Sequence, residues 1–208
     1  ILTLGGGTGT LSPNWGVANP NALSAGTHIF TVSDSNNCLL PDSVTITEPS
    51  AITSSFTTID VDCYGNNTGS ATVIFNGGVI GSAPGDTNYI LSWDTLLYIL
   101  PFPYTTFTTP IGVPAGIYPY GVTDANGCTH FDIITIYQPS AISVTATTTV
   151  VSCNGGNDGT ATLTLSGGTG ALTADWGTAN PNALSAGTHF FTITDSNNCS
   201  ISDSVVIN

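Results

Sequence analysis

The chain contains a long internal repeat. Residues 15–38 (WGVANPNALSAGTHIFTVSDSNNC) return as residues 176–199 (WGTANPNALSAGTHFFTITDSNNC), with 20 of 24 positions identical. Because each copy must be one structural unit, repetition constrains the fold more strongly than any local motif. A function that tolerates such repetition is more often architecture or adhesion than catalysis.

A third, more divergent copy lies between these two. The starts of the middle and last copies align at an offset of 90 residues and their ends at an offset of 71, so the middle copy carries an insertion of 19 residues between Gly78 and Ala115. We predict three domains, a truncated repeat that lacks its opening strands at 1–47, a repeat with an aromatic-rich insertion at 48–137 and a repeat at 138–208. Without an initiator Met or a signal peptide, the sequence indicates a window of a longer secreted chain.

The charge composition excludes several partners. Asp and Glu total 13 while Lys and Arg total 0, which gives a formal net charge of −13. Nucleic acids and anionic membranes are bound by cationic side chains, so neither is expected as a partner. No apolar run is long enough for direct membrane insertion. Hydrophobic residues still make up 40% of the chain, which indicates a folded protein and not a disordered acidic tail.

The five cysteines recur at equivalent places in the copies. We predict one disulfide per repeat, Cys63 with Cys128 and Cys153 with Cys199, and a partner upstream of the chain for Cys38. Closing such a loop adds on the order of 4 kcal/mol to a small unit in the chain-entropy model. Free buried thiols are the alternative, while metal binding is disfavoured because no Cys-x-x-Cys or Cys/His cluster is present. The pairing requires an oxidising compartment.

The pattern predicts β-structure throughout. Apolar and polar residues alternate over five segments, at 70–75, 117–123, 160–165, 188–194 and 204–207. Each segment should therefore face a core on one side only. Asn-Gly, Asn-Asn and Gly-Gly turn signals separate the strands. We predict an all-β fold of tandem immunoglobulin-like antiparallel β-sandwich repeats, with Trp15, Trp93 and Trp176 as core anchors on a central strand.

Polar residues that could carry chemistry have structural roles in our interpretation. Asp34, Asp124 and Asp195 open three turns, where an Asp side chain accepts backbone N–H bonds. Asp60 and Asp62, beside a joint, are weak candidates for a structural Ca²⁺ completed by carbonyls of the next repeat. We predict no other metal or cofactor.

The three histidines are interpreted as satisfied or solvated side chains, because a metal site needs ligands that converge from several places. They are His28, His130 and His189. We predict no catalytic residues and no enzyme activity, since no opposing acid completes a pair such as Asp60 and Asp62 across a cleft.

Several motifs together resemble a known family. They are Cys-x-Gly-Gly-x-x-Gly-Thr-Ala-Thr from Cys153, Ser-Gly-Gly-Thr-Gly from Ser166, Leu-Ser-Ala-Gly-Thr from Leu184 and Thr-Asp-Ser-Asn-Asn-Cys ending at Cys199. This order resembles the SprB repeat of very large cell-surface proteins of Bacteroidota. The resemblance implies an immunoglobulin-like repeat of a secreted adhesin, often exported by the type IX system and sometimes tied to gliding motility. It implies no catalytic residues.

The insertion in the middle copy is the segment that repetition does not explain. Trp93 to Tyr104 contains eight aliphatic and aromatic residues and one carboxylate. We predict that part of it mediates contact beyond its own sandwich, and an extra hairpin that covers its own sandwich is the alternative. The interface candidates are five aromatic residues, Trp93, Tyr98, Phe102, Tyr104 and Phe107.

Two functional classes follow from these features. The first is a structural segment of a surface adhesin or extracellular filament, whose partners are neighbouring repeats or copies of the same protein. The second is an adhesin module that binds surface glycan or protein through the insertion. Both are extracellular or at the cell surface. Asp-(Ser/Thr)-apolar sequences resemble Bacteroidota O-glycan sites, which makes Ser43, Thr95 and Ser204 candidates for O-glycosylation.

Overall fold

The computed structural model describes residues 1–81, 86–93, 96–101, 104–109 and 112–208. This described part contains fifteen β-strands, all antiparallel where they pair, and no helix. It therefore has no helix long and apolar enough to cross a membrane. The chain divides into two compact units, Ile1–Ala51 and Ile52–Asn208.

The first unit is a three-stranded sheet in the order β1-β2-β3. Its strands are β1 (Ser12–Asn14), β2 (Gly26–Ser33) and β3 (Leu39–Ile46). Phe30 and Val32 are buried on one face of β2, as the alternation of side chains along a strand requires.

Two sheets form the middle repeat. The strands of the first are β4 (Thr53–Ile59), β5 (Ser70–Asn76) and β8 (Thr106–Thr108). The strands of the second are β6 (Thr87–Trp93), β7 (Leu96–Pro101), β9 (Gly116–Asp124) and β10 (Thr129–Ile136). The orders are β4-β5-β8 and β10-β9-β6-β7. Side chains of both sheets form one core, which includes Phe75, Leu91 and Val122.

The last repeat is smaller. Its two-stranded sheet contains β11 (Ser143–Thr148) and β12 (Ala161–Ser166). Its three-stranded sheet contains β13 (Thr173–Asp175), β14 (Gly187–Thr194) and β15 (Ser200–Ile207), in that order. A separate core forms between them, with Phe191, Ile193 and Ile207 buried.

The prediction of an all-β, antiparallel fold is confirmed. The five alternating segments lie almost entirely within β5, β9, β12, β14 and β15. The immunoglobulin-like character and the domain boundaries stay predictions.

The three tryptophans occupy equivalent places in the three copies. Each faces an aromatic ring of the adjacent long strand, with centroid distances of 4.5 Å from Trp15 to Phe30, 6.2 Å from Trp93 to Tyr120 and 4.8 Å from Trp176 to Phe191. Trp15 and Trp176 follow the edge strands β1 and β13 and are half-buried. Their predicted place on a central strand is therefore wrong. Trp93 ends β6, an interior strand, and is buried.

The insertion completes the sandwich of its own repeat. Trp93 follows Gly78 by 15 residues, whereas Trp176 follows Gly168 by 8, so 7 extra residues precede this tryptophan and the other 12 follow it. They lengthen β6 and supply β7 and β8, which add one strand to each sheet.

Burial corrects part of the predicted interface. Trp93 and Phe107 are only 5% and 6% exposed, because β6 and β8 turn them into the core of their own repeat. Tyr98 is half-buried and packs on Phe107 at a centroid distance of 4.6 Å. Tyr104 is exposed, and Phe102 lies outside the described residues. Trp93 and Phe107 are therefore wrong as interface residues.

Candidate functional site at the junction of two repeats

A closing turn joins the last two strands of each copy. In the last repeat, Asp195 Oδ1 accepts N–H bonds from Asn197 at 2.8 Å and Cys199 at 2.9 Å. Its Oδ2 accepts an N–H bond from Thr169 at 2.8 Å, which ties the turn to the double-glycine loop. Asn198 has a φ of 65°, a left-handed conformation that Asn tolerates better than most residues.

The same arrangement occurs around Asp34 and Asp124. The predicted turn-capping role of the three aspartates is confirmed. Burial raises the pKa of the Asp195 and Asp124 carboxyls, but their N–H donors outweigh burial and hold each pKa below its ordinary value. The pKa of Asp34 is also lowered, first by the Cys38 N–H and then by the Thr8 N–H.

The double glycine is explained by this closing turn. Gly168 has a φ of +63°, and a Cβ at this position would lie 3.0 Å from Asp195 Oδ2 and from a carbon of Ile142. At Gly78 the corresponding Cβ would lie 2.7 Å from Asp124 Oδ2. Only glycine lets this loop approach the carboxylate so closely.

An opening loop follows the first strand of a repeat and carries the other cysteine of that repeat. In the middle repeat, Asp62 Oδ1 accepts hydrogen bonds from the Thr68 hydroxyl at 2.6 Å, the Cys63 N–H at 2.7 Å and the Asn66 amide at 3.2 Å. The Thr68 hydroxyl and then the Asn66 amide lower the pKa of Asp62. Asp60 Oδ1 accepts the Tyr137 N–H at 3.0 Å.

Both aspartates proposed for Ca²⁺ therefore accept hydrogen bonds from the protein. Across the described residues, no three or more His, Cys, Asp or Glu side chains are grouped so that they could hold a metal ion. A structural Ca²⁺ completed by other ligands stays a prediction.

The opening loop and the closing turn lie at opposite ends of a repeat. Gly69, just after the opening loop, pairs with Val113, just before β9 begins. The closing turn follows Asp124, where β9 ends. The nine residues of β9 span about 26 Å, since their eight intervals rise about 3.3 Å each. The last repeat has the same design, since Gly159 pairs with Leu184 just before β14.

This separation corrects the predicted disulfides. Cysteines at opposite ends of one sandwich cannot reach the Cα separation of about 4.4–6.8 Å that a disulfide requires. The bond instead joins Cys63 of the middle repeat to Cys199 of the last repeat, with Cα atoms 5.6 Å apart. Cys128 and Cys153 are free and exposed, so the predicted pairs Cys63–Cys128 and Cys153–Cys199 are both wrong. Cys38 is also free.

Polar contacts accompany the disulfide at this junction. The Asn197 side-chain amide donates to the Asp62 carbonyl oxygen at 3.1 Å, and the Gly65 N–H donates to Gln138 Oε1 at 2.8 Å. The Val61 N–H donates to the Tyr137 carbonyl at 2.9 Å. Opening loop, linker and closing turn are thus held together by backbone and side-chain groups as well as by sulfur.

A groove borders the disulfide between the two repeats. It has a volume of about 320 Å³ and includes Tyr64, Ile142, Asp195 and Ile201 in its walls. The Asp195 carboxylate in this wall already accepts three N–H bonds. This carboxylate therefore stabilises the closing turn beside the groove.

The histidines and hydroxyls outside the junction have ordinary surroundings. His28 and His189 bond the carbonyls of Ser24 and Ser185 at 2.8 Å each, and His130 bonds the Ser54 hydroxyl at 3.1 Å. The interpretation of satisfied histidines is confirmed. Ser43 in β3 and Ser204 in β15 are exposed, whereas Thr95 lies outside the described residues. O-glycosylation at these three positions stays a prediction.

The fold and the junction together define a class, an all-β protein of tandem repeats. Residues 145–176 match the family model described as SprB repeat, a segment that contains the opening loop and the double glycine of the last repeat. The chain therefore contains a SprB-type repeat, and the predicted resemblance is confirmed. SprB repeats are structural repeats of surface-exposed proteins and not an enzyme family. No curated protein sequence matches the chain.

Proposed function

We propose that this chain is a non-enzymatic structural segment of a large secreted surface adhesin or extracellular filament, in which repeats joined end to end give reach. The observation that carries this proposal is the covalent bond between consecutive repeats, Cys63 to Cys199. Most small secreted domains use a disulfide to close a loop within one core. Here it fixes one repeat to the next.

The junction has two covalent connections where an ordinary linker has one. The peptide runs through Gln138 and Pro139, and the disulfide provides the second connection. Two repeats joined only by a flexible linker can rotate freely relative to each other. A second covalent bond removes most of this rotational freedom. The hydrogen bonds from Asn197 and Gly65 restrict it further. We therefore expect the two joined repeats to form a stiff spacer.

Charge supports the same function. The net charge of −13, with no Lys or Arg, makes neighbouring parts of an array repel one another. Repulsion favours extended arrangements over collapsed ones. The exposed disulfide-forming loops also suit an oxidising extracellular location.

Small-angle X-ray scattering tests the stiffness. The oxidised chain and the variant Cys63→Ser would be compared, with Cys128→Ser as the matched control because Cys128 is exposed and unpaired. We expect a larger and broader distribution of interatomic distances for Cys63→Ser alone. Superimposable profiles for all three proteins would show that the bond does not stiffen the array.

A second candidate function is contact with a ligand or another filament through the middle repeat. One face of its four-stranded sheet points away from the core and is apolar. Its exposed residues are Ile90 in β6, Leu97 and Ile99 in β7, and Phe131 and Ile133 in β10. On β9, which lies between β6 and β10, Gly121 is covered by the ring of Phe131, and a Cβ at this position would collide with that ring. Contiguous exposed apolar residues of this kind favour an interaction surface.

The double variant Leu97→Ser/Ile99→Ser tests this surface. Both side chains are mostly exposed, at 74% and 68%, so the fold should persist. We expect self-association in sedimentation velocity to weaken at least tenfold. Phe190→Ser is the control, since Phe190 is equally exposed but belongs to the last repeat. Binding to a glycan array with no self-association would favour the ligand-binding adhesin, and unchanged behaviour in both assays would exclude this surface.

A further inference from the structure

The two cysteines of a repeat lie at its two ends, and the one disulfide joins an opening loop to the closing turn of the repeat that follows. Three cysteines are left free, and each belongs to one of these two structural positions. Cys153 is in an opening loop, and Cys38 and Cys128 are in closing turns.

We propose that Cys153 is the opening half of a second junction, and that it forms a disulfide with the closing-turn cysteine of another SprB-type repeat. In this chain alone, the available partner is a second copy, which offers two closing-turn cysteines, Cys38 and Cys128. The inference rests on the geometry of the existing junction and goes beyond the structural role proposed above.

The opening loop around Cys153 has the geometry of the loop that is already bonded. Gly155 has a φ of +81° and its counterpart Gly65 a φ of +78°. A backbone hydrogen bond closes each loop, from the Gly156 N–H to the Cys153 carbonyl at 2.9 Å and from Asn66 to Cys63 at 3.1 Å.

A carboxylate anchors the base of both loops. In the middle repeat it precedes the cysteine in sequence, and in the last repeat it follows the cysteine. Asp158 Oδ1 accepts the Ser152 N–H at 2.9 Å in the last repeat. In the middle repeat, the carboxylate of Asp62 and the hydroxyl of Thr68 have exchanged these places. The chain thus keeps the shape of the loop while the residues that stabilise it change. Cys153 is presented as Cys63 is, at the end of its repeat that faces away from Cys199.

The closing turn around Cys38 likewise has the geometry of the bonded one. Residues 34–38 and 195–199 have the same sequence, Asp-Ser-Asn-Asn-Cys. Asn37 has a φ of 62° and Asn198 a φ of 65°. In the existing junction the Asn197 amide donates to the backbone carbonyl before the opening cysteine. Asn36 is the equivalent donor in the first unit, and the carbonyl of Ser152 is the equivalent acceptor.

The chemistry needs one oxidant for each bond. The thiols of Cys153 and Cys38 lose two protons and two electrons as their Sγ atoms join. Oxidised glutathione accepts both electrons and both protons and leaves as two molecules of reduced glutathione. Because two copies of a chain with a net charge of −13 repel each other, moderate salt should assist the encounter.

Complementation between two variants tests the proposal. The double variant Cys38→Ser/Cys128→Ser keeps only the free opening cysteine, and Cys153→Ser keeps only the free closing cysteines. Each would be incubated alone, and then both together, in glutathione redox buffer with 0.15 M NaCl as roughly physiological salt. We expect monomers from each variant alone and a disulfide-linked dimer in the mixture, at least tenfold more abundant than either homodimer.

Peptide mapping under non-reducing conditions identifies the bond. The chain has no Lys or Arg, so a protease that cleaves at Asp replaces trypsin. A linked peptide containing Cys153 and Cys38 is expected, and one with Cys128 supports the proposal equally because it is also a closing cysteine. Homodimers as abundant as the mixed dimer, or no mixed dimer, would overturn it. The retained Cys63–Cys199 peptide shows that each variant has folded. A negative result leaves the stiffness test of that bond unaffected.

Discussion

The middle and last repeats share their motifs but differ in how much core they build. The middle repeat has seven described strands and a cluster of 14 buried residues, and the last has five strands and a cluster of 6. The insertion accounts for much of the difference, because β7 and β8 extend both sheets and bring Leu100 and Phe107 into the core. The last repeat therefore has less hydrophobic stabilisation and depends more on its closing turn and on the disulfide that it shares with the middle repeat.

Loss of the junction disulfide should affect this comparison most. The variant Cys63→Ser releases a loop with a sequence separation of 136, which corresponds to a loss of about 5 kcal/mol in the chain-entropy model. We expect hydrogen exchange to rise first in β11 to β15, because their core is the smaller. Cys128→Ser should change nothing. Earlier exchange in β4 to β10 would show that the larger core is not the more stable one.

Removal of the equivalent tryptophans compares the two cores directly. Trp93 is buried against Phe107, Tyr118 and Tyr120, so Trp93→Ala should cost about 4 kcal/mol of unfolding free energy. Trp176 is half-buried, and Trp176→Ala should cost about half as much. Urea unfolding followed by far-ultraviolet circular dichroism measures both. Equal losses would mean that burial does not distinguish the two positions.

The free-energy cost of Gly→Ala substitutions in the double-glycine loops should depend on the space beside the carboxylate. Gly78→Ala should cost about 2–3 kcal/mol, since the residue adds strain at positive φ to a close approach to Asp124. Gly168→Ala should cost slightly less, because its Cβ has 3.0 Å and not 2.7 Å of space. Gly155→Ala is the control for strain alone, with open space around it and a cost of about 1 kcal/mol. Thermal unfolding ranks the three variants, and a loss at Gly155 as large as at Gly78 would contradict the steric explanation.

Acid should weaken both repeats through their closing turns, with the smallest effect of the four. The folded-state pKa values of Asp124 and Asp195 lie below the ordinary value of 3.8. Their contribution is therefore complete above pH 3.8 and is lost as pH falls through the folded pKa. Urea titrations between pH 6 and pH 2 should show this loss. The variants Asp124→Asn and Asp195→Asn should flatten it, and an unchanged pH profile would show that other carboxyls are responsible.

The local features of the fold could be predicted from the sequence because short-range chemistry determines them. Alternating residues located the strands, and the aspartate turns followed from Asp-x-Asn patterns whose side chains bond their own backbone. The link from Asp195 to the double glycine was missed, although the joint recurrence of both motifs in every copy was a signal for it.

The disulfide pairing and the burial of the insertion depended on topology, which residue spacing does not reveal. Three described strands lie between Cys153 and Cys199 and five between Cys63 and Cys128. An odd number of antiparallel strands places such cysteines at opposite ends, so a strand count would have excluded the predicted pairs. For Trp93 and Phe107, hydrophobicity indicated that they bury surface. It did not indicate that β6 and the added strand β8 would turn them into the core of their own repeat.

The Cys63–Cys199 bond also determines how this part of the chain resists a mechanical load. The 136-residue separation between the two cysteines corresponds to roughly 450 Å of extended backbone. None of this backbone can extend while the bond is intact. Of the described strands in these two repeats, only β4 and β15 lie outside the closed loop. Tension applied at residues 52 and 208 would therefore first separate these two strands from their sheets. The disulfide bond would then bear the load. While the bond is intact, the two small sandwiches inside the closed loop therefore form a nearly inextensible link.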